Sequence, residues 1–219
     1  VLKQAYKKNK QPIITALLVG MLVGGGHLPQ QIESLLFYLV VFGVALIAHA
    51  RNKSLNTLLG CSTVFYLLAW FNAFHDVLFN ILFCVSGLIC LSYGIISSIR
   101  FVVKSKEVTI GEIFALINCY LIMGFFWALL YTLVEGFSPG AFSISEKLTR
   151  DMDSFIYFSF STMTTVGYGD MVPHSILAQR LSVTQAIFGQ FYFALVVAYL
   201  LNKLFQQRTE PAEKETLPK

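Results

Sequence analysis

The sequence predicts an all-α membrane protein of six spans, with one shorter helix dipping into the membrane between the last two. Three observations lead there. Of 219 residues, 56% are hydrophobic and 13% charged, and the mean hydropathy is +0.66. Soluble domains carry about 25% charged residues. The apolar residues gather in runs near the ~20 needed to cross a hydrocarbon core. The basic residues gather on one side of those runs.

The first expected span is Pro12–Leu28, short and loosened at its end by Gly24, Gly25 and Gly26; Pro12 suits a first helical turn. The second is Ser34–Ala50, the third Leu55–Phe74 and the fourth Val77–Ile99. The fifth is Ile113–Val134 and the sixth Leu181–Leu204. Between these two, Asp153–Met163 is apolar and aromatic but too short to cross, so it is expected as a re-entrant helix. The organisation that follows is a basic segment (1–11), a four-helix peripheral bundle (12–99), a linker (100–112), a two-span unit with the dipping helix (113–204) and a tail (205–219). No signal-peptide cleavage pattern is legible, and the chain opens on Val1, which suggests a trimmed start.

Orientation follows from the basic residues. On the side of the N-terminus fall Lys3, Lys7, Lys8, Lys10, Arg51, Lys53, Arg100, Lys104, Lys106, Lys203, Arg208, Lys214 and Lys219; the other side holds Lys147, Arg150 and Arg180. Both termini are therefore expected in the cytoplasm of a cell whose plasma or inner membrane holds the chain. The acids lean the other way, with Glu33, Asp76, Glu135, Glu146, Asp151, Asp153 and Asp170 outside. The positive balance thus reflects topology and anionic inner-leaflet lipid, with no nucleic-acid partner implied. A negative outer face concentrates cations there.

After the dipping helix comes Thr164-Thr165-Val166-Gly167-Tyr168-Gly169-Asp170. A dehydrated cation needs rings of oxygens in place of water. Backbone carbonyls supply them only where successive residues turn their C=O groups the same way. Gly167 and Gly169 adopt the φ values that such alternate-handed backbone requires. Val166 and Tyr168 are expected to pack behind the strand, and Thr165 adds a hydroxyl at its inner end. One chain supplies one strand, so four are needed to close a ring.

Thr165–Gly169 is the filter sequence of K⁺ channels, and Gly111–Leu204 resembles the pore module of the tetrameric K⁺ channel superfamily. The resemblance implies a homotetramer around a central pore, with carbonyls of Thr165, Val166, Gly167, Tyr168 and Gly169 lining successive K⁺ sites. The dipping helix becomes the pore helix, its C-terminal end favouring a cation in the cavity below. K⁺ is the transported ion, and no organic cofactor is expected. Thr164 and Asp170 flank the filter. Gly189, twenty residues after Gly169, resembles the hinge of inner helices; a mid-helix glycine weakens the helix by about 1 kcal/mol and permits a kink. Close packing of a neighbour at Gly189 is the alternative. Below it, either the stripe of Phe193 and Val197 or that of Ala194 and Ala198 faces the axis, the first narrowing the pore and the second leaving it wider.

The chain departs from the commonest pattern at two places. Ser161 stands where some members carry a Glu that pairs with the Asp after the filter. Tyr157 and Phe158 stand where a Trp pair often braces the filter Tyr, and Phe158 offers no donor to Tyr168. Slow filter inactivation is therefore not carried over. Selectivity rests on the intact filter.

A voltage sensor needs several Arg or Lys on its fourth helix, each worth about 2.3 kcal/mol per 100 mV. Val77–Ile99 has no Arg, Lys, Asp or Glu, so the bundle is expected to be voltage-insensitive. Phe101–Glu112 is either an interfacial coupling linker or a solvated loop. The tail is too small for a gating domain; such a domain or ligand is either dispensable or absent from this chain. Cys61, Cys84, Cys90 and Cys119 have no metal-site or disulfide spacing. His174 could sensitise the outer mouth to pH. No nucleophile–base group or phosphate loop marks an enzyme. A voltage-gated channel with a degenerate sensor, a transporter built of pore-like repeats, and a non-conducting sensor or regulatory subunit are the other classes. A full Thr-Val-Gly-Tyr-Gly in a single unit argues against the transporter.

Overall fold

The computed structural model describes residues 2–24, 37, 40, 41, 43, 77–105, 108–145 and 148–215. In chain order these form α1 (Leu2–Gly24), α2 (Val77–Lys104), α3 (Ile110–Phe137), β1 (Phe142–Ile144), α4 (Met152–Met163), β2 (Met171–Pro173) and α5 (Ile176–Glu215). The second and third expected spans lie outside the described residues. Three described helices are long and apolar enough to cross a membrane: Cys84–Lys104, Ile110–Phe137 and Ile176–Gln207.

Helix α3 is the centre of the packing. Its buried residues run all round it, from Ala115 and Asn118 through Phe125 and Ala128 to Tyr131 and Val134. A helix apolar on every side is one surrounded by other helices or lipid, and α1, α2, α4 and α5 all lie against it. Thr109 caps its start: the Thr109 hydroxyl accepts from the Glu112 N–H at 3.3 Å, in a Thr-x-x-Glu pattern.

Helix α1 corrects the reading of Pro12. The helix begins at Leu2 and Pro12 lies inside it. Residues 2–11 are rich in Lys, Gln and Ala, good helix formers that carry the helix beyond its apolar part. That apolar part, Lys10–Gly24, is shorter than a span. It is pinned to α3 by a buried polar cluster. Asn118 Nδ2 donates to Gln11 O at 3.0 Å and Gln11 Oε1 at 2.9 Å, and the Thr15 hydroxyl donates to Asn118 Oδ1 at 2.6 Å.

The helices also outrun the expected spans. α2 continues to Lys104, so the linker shrinks to the residues before Ile110, and α5 continues through the polar tail to Glu215. Cys84, Cys90 and Cys119 are buried free thiols, packing as small apolar groups. Cys61, His27, His49 and His75 lie outside the described residues.

Two short strands were not expected. β1 pairs with β2 antiparallel, Phe142 opposite Pro173 and Ile144 opposite Met171. The ladder ties the segment after α3 to the segment after Asp170.

Candidate functional site

The site is built where α4 ends between α3 and α5. Asp151 caps α4, its carboxylate accepting from the Ser154 N–H at 3.0 Å and from the Thr149 hydroxyl. Burial pushes the Asp151 carboxyl up, but these hydrogen bonds outweigh it and hold the group below its ordinary range. The helix spans twelve residues, Met152–Met163. At 1.5 Å per residue that is about 18 Å, which confirms a segment too short to cross.

An aromatic cluster fixes the depth of α4. Phe158 packs edge-to-face on Tyr131 of α3 at 5.1 Å and on Phe142 of β1 at 5.4 Å, while Phe142 also meets Phe155 at 5.3 Å. Such pairs contribute beyond the area they bury. Phe142 is fully buried, so β1 is held against α4 by this side chain. Glu135, at the end of α3, accepts from the Gly140 N–H at 2.8 Å and the Phe142 N–H at 3.1 Å, and pairs with Arg150.

The strand from Thr164 to Gly169 is exposed along its whole length. Its backbone alternates in hand. φ is +63° at Thr165, +53° at Gly167 and +79° at Gly169, with Val166 and Tyr168 in the ordinary region between. The two glycines behave as their lack of Cβ predicts. Thr165 does not: a left-handed L-residue costs about 1–2 kcal/mol, and a β-branched one is a genuine outlier. It is held by Thr165 N–H donating to Thr162 O at 3.1 Å and by its hydroxyl donating to Thr164 O at 2.6 Å. Strain of this sort persists where the surroundings over-determine it.

The strand is supported from α4. Tyr157 stacks on Tyr168, ring centroids 5.9 Å apart and planes 10° apart, and its hydroxyl donates to Asp170 Oδ2 at 2.7 Å. Ser161 acts through its backbone, its carbonyl accepting from Gly167 N–H at 3.2 Å, while its hydroxyl donates to Phe158 O at 3.1 Å. Phe158 lies in the aromatic cluster behind the helix. Thr164 caps α4, its hydroxyl donating to Phe160 O at 2.7 Å. Beyond Asp170, Ser145 N–H donates to Asp170 O at 2.9 Å and His174 N–H to Ala141 O at 2.8 Å, so the ladder anchors the end of the strand that follows Gly169. His174 is exposed.

Gly189 sits in close packing. A Cβ there would lie 2.7 Å from the carbonyl oxygen of Met163, the last residue of α4, and α5 runs unbroken through the position. Phe193, Ala194, Val197 and Ala198 are all exposed in the single chain, and the Phe193 ring leans on Tyr120 of α3 at 5.0 Å. At the far end of α5, Lys203 pairs with the fully buried Glu112 at 2.5 Å, and Tyr199 bridges to α2 by its hydroxyl, 3.0 Å from Val102 O.

Comparison with known proteins agrees with this geometry. Residues 115–206, from α3 through the 164–169 strand to α5, match the sequence model of a family described as an ion channel. This part of the chain is thus similar to an ion-channel domain, and three of the described helices are long and apolar enough to cross a membrane. Among curated proteins it is similar to the voltage-gated potassium channel Kch of Escherichia coli (strain K12), 32% identical over 129 residues. That match takes in 58% of this chain and 28% of the relative, so the chain spans under a third of that relative's length. No solved structure matches the chain.

Proposed function

We propose that the chain is one subunit of a homotetrameric, K⁺-selective channel that conducts passively across the plasma or inner cell membrane, with both termini cytoplasmic. The observation that carries the reading is the alternation of φ at Thr165, Gly167 and Gly169 directly after a short re-entrant helix. Alternating hand turns successive peptide planes to a common side, as a ring of carbonyl ligands demands. Thr165, Val166, Gly167, Tyr168 and Gly169 then supply the K⁺ sites, and K⁺ is cargo, passing from site to site by mutual repulsion.

Assembly around an axis is supported by the surface of α5. Ile187, Phe188, Phe191, Leu195 and Val197 are 49–67% exposed in the single chain, and an apolar face this long is covered by lipid or by other copies. On the same helix Ser182, Gln185, Gly189 and Lys203 form the buried stripe that meets α3 and α4. Ala194 stands on the opposite side at 100° per residue, and Phe193 leans towards α3. This favours the Ala194 and Ala198 stripe as the one that faces the axis. Gly189 is the hinge of this inner helix as well as its packing point.

Voltage-gated operation is a second reading, prompted by the name of the bacterial relative. The uncharged run Val77–Ile99 weighs against it, since no charge lies within that run to move across the field. The described bundle helices are therefore a non-sensing scaffold.

The test is assembly together with flux. Purified protein is sized by native mass measurement and reconstituted in liposomes with K⁺ or Na⁺ inside. Four copies per particle and a Ba²⁺-blockable K⁺ flux support the reading. Monomers, or vesicles as tight as protein-free ones, refute it.

A further inference from the structure

Gln185 is a long polar side chain placed where hydrocarbon is expected. It is 0% exposed, on the stripe of α5 that meets both α3 and α4. An amide buried in such surroundings is unfavourable unless every hydrogen-bonding group finds a partner. Here each does. Gln185 Oε1 accepts from the Tyr131 hydroxyl of α3. Gln185 Nε2 donates to the Ser159 carbonyl of α4 at 3.0 Å and to the Ser159 hydroxyl oxygen at 2.7 Å. The Ser159 hydroxyl in turn donates to Gly124 O of α3 at 2.7 Å. Tyr131, Ser159 and Gly124 are all buried.

This relay has one direction and fits one functional group. The side chain at 185 must present an acceptor to Tyr131 and donors to Ser159, which only a carboxamide of this length does. A leucine would fill the space with less desolvation, but would take away the acceptor of the Tyr131 hydroxyl and the donor to Ser159. The polar group therefore specifies an arrangement that packing alone leaves loose. What it specifies is the position of α4. Gln185 holds Ser159, and one turn along both helices Gly189 abuts Met163. Two contacts, four residues apart on each helix, fix both the rotation and the depth of α4. Thr164 and Thr165 follow Met163 directly, so any turn of α4 is passed to the inner end of the filter.

We infer that Gln185 is a positioning residue for ion selectivity: its amide locks the pore helix to the inner and outer helices and thereby sets the spacing of the filter's oxygens. The inference rests on the channel reading given above.

The experiment uses the full chain in liposomes and reads the K⁺/Na⁺ permeability ratio beside the thermal midpoint. The wild type is measured first; if it is not K⁺-selective, the channel reading fails and takes this inference with it. With a selective wild type, Gln185→Leu is expected to assemble and conduct, with a ratio lower by about tenfold, the equivalent of one buried hydrogen bond. Adding Ser159→Ala to it lowers the ratio no further, because the two act as a unit. Leu129→Ala, a core truncation at a fully buried position away from the relay, lowers the midpoint and leaves the ratio unchanged. Tyr131→Phe keeps the ring and removes the donor; it lowers the ratio in the same direction and serves if Gln185→Leu does not fold. A wild-type ratio in Gln185→Leu, or in Tyr131→Phe where that variant has to serve, overturns the inference while leaving the channel reading standing.

Discussion

The Tyr157 hydroxyl lies 2.7 Å from Asp170 Oδ2, while its ring lies flat against Tyr168. One side chain of α4 thus holds both Tyr168 and the acid that follows Gly169. The hydrogen bond to a carboxylate is of the stronger kind.

Tyr157→Phe tests that bond with the stack preserved. Losing a hydrogen bond to a charged group removes about 1.5–3 kcal/mol. The expected outcome is a filter that leaves its conducting form at least tenfold more readily, seen as decay of K⁺ current at constant potential. Tyr157→Ala, which also removes the stack, decays faster still. A Tyr157→Phe current as steady as the wild type would show that the bond carries no such load.

At Gly189 two effects compete. Alanine improves helix propensity by about 1 kcal/mol. Its Cβ would also lie 2.7 Å from a backbone oxygen that no side-chain rotation can move, and overpacking costs about 1–3 kcal/mol. The clash wins. Gly189→Ala is expected to lower the thermal midpoint of the detergent-solubilised protein; a higher midpoint would show that α4 yields.

Lys203 and Glu112 form an ion pair almost wholly removed from solvent. Breaking such a pair from one side costs about 3–5 kcal/mol, because the remaining charge is stranded. Lys203→Met is therefore expected to destabilise more than Lys203→Met with Glu112→Gln. Thermal unfolding of the three proteins decides the order.

Asp151 makes the start of α4 sensitive to acid. Its carboxyl is held below the ordinary value by hydrogen bonds. A lowered folded-state pKa gives stability that is present above the unfolded value and lost as pH falls through the folded one. The cap is thus intact at neutral pH and fails only below the ordinary carboxylate range. Asp151→Ala is expected to lose about 1 kcal/mol at neutral pH, and its stability to vary less with pH below that range than the wild type's. Thermal midpoints measured from pH 7 downwards give the comparison.

The parts of this structure legible in the sequence are those set by local chemistry. Apolar run length marked α2, α3 and α5. The short run Asp153–Met163 marked α4 to within a residue, and the two glycines marked positions of positive φ. The missed features depend on which residues meet across the fold. The left-handed Thr165 has no local signal, since β-branched residues avoid that region. The Tyr157–Asp170 bond has no local signal either, since a tyrosine thirteen residues before an acid says nothing of reach until α4 is placed. Gln185 is locally one polar residue in an apolar run, and the strands β1 and β2 are too short for a periodicity to show. Pro12 misled because a proline at a span boundary marks a helix start only when what precedes it is not helix-forming.

The central claim is that this filter passes K⁺ in preference to Na⁺ without a voltage sensor. The most direct measurement is the reversal potential of the purified protein in a planar bilayer, K⁺ on one side and Na⁺ on the other, with currents recorded over a wide range of potentials. A reversal potential far toward the K⁺ limit, with open probability nearly flat in voltage, is the predicted result. A reversal potential near zero would contradict the filter assignment, and a steep dependence of opening on voltage would contradict the reading of the uncharged segment Val77–Ile99.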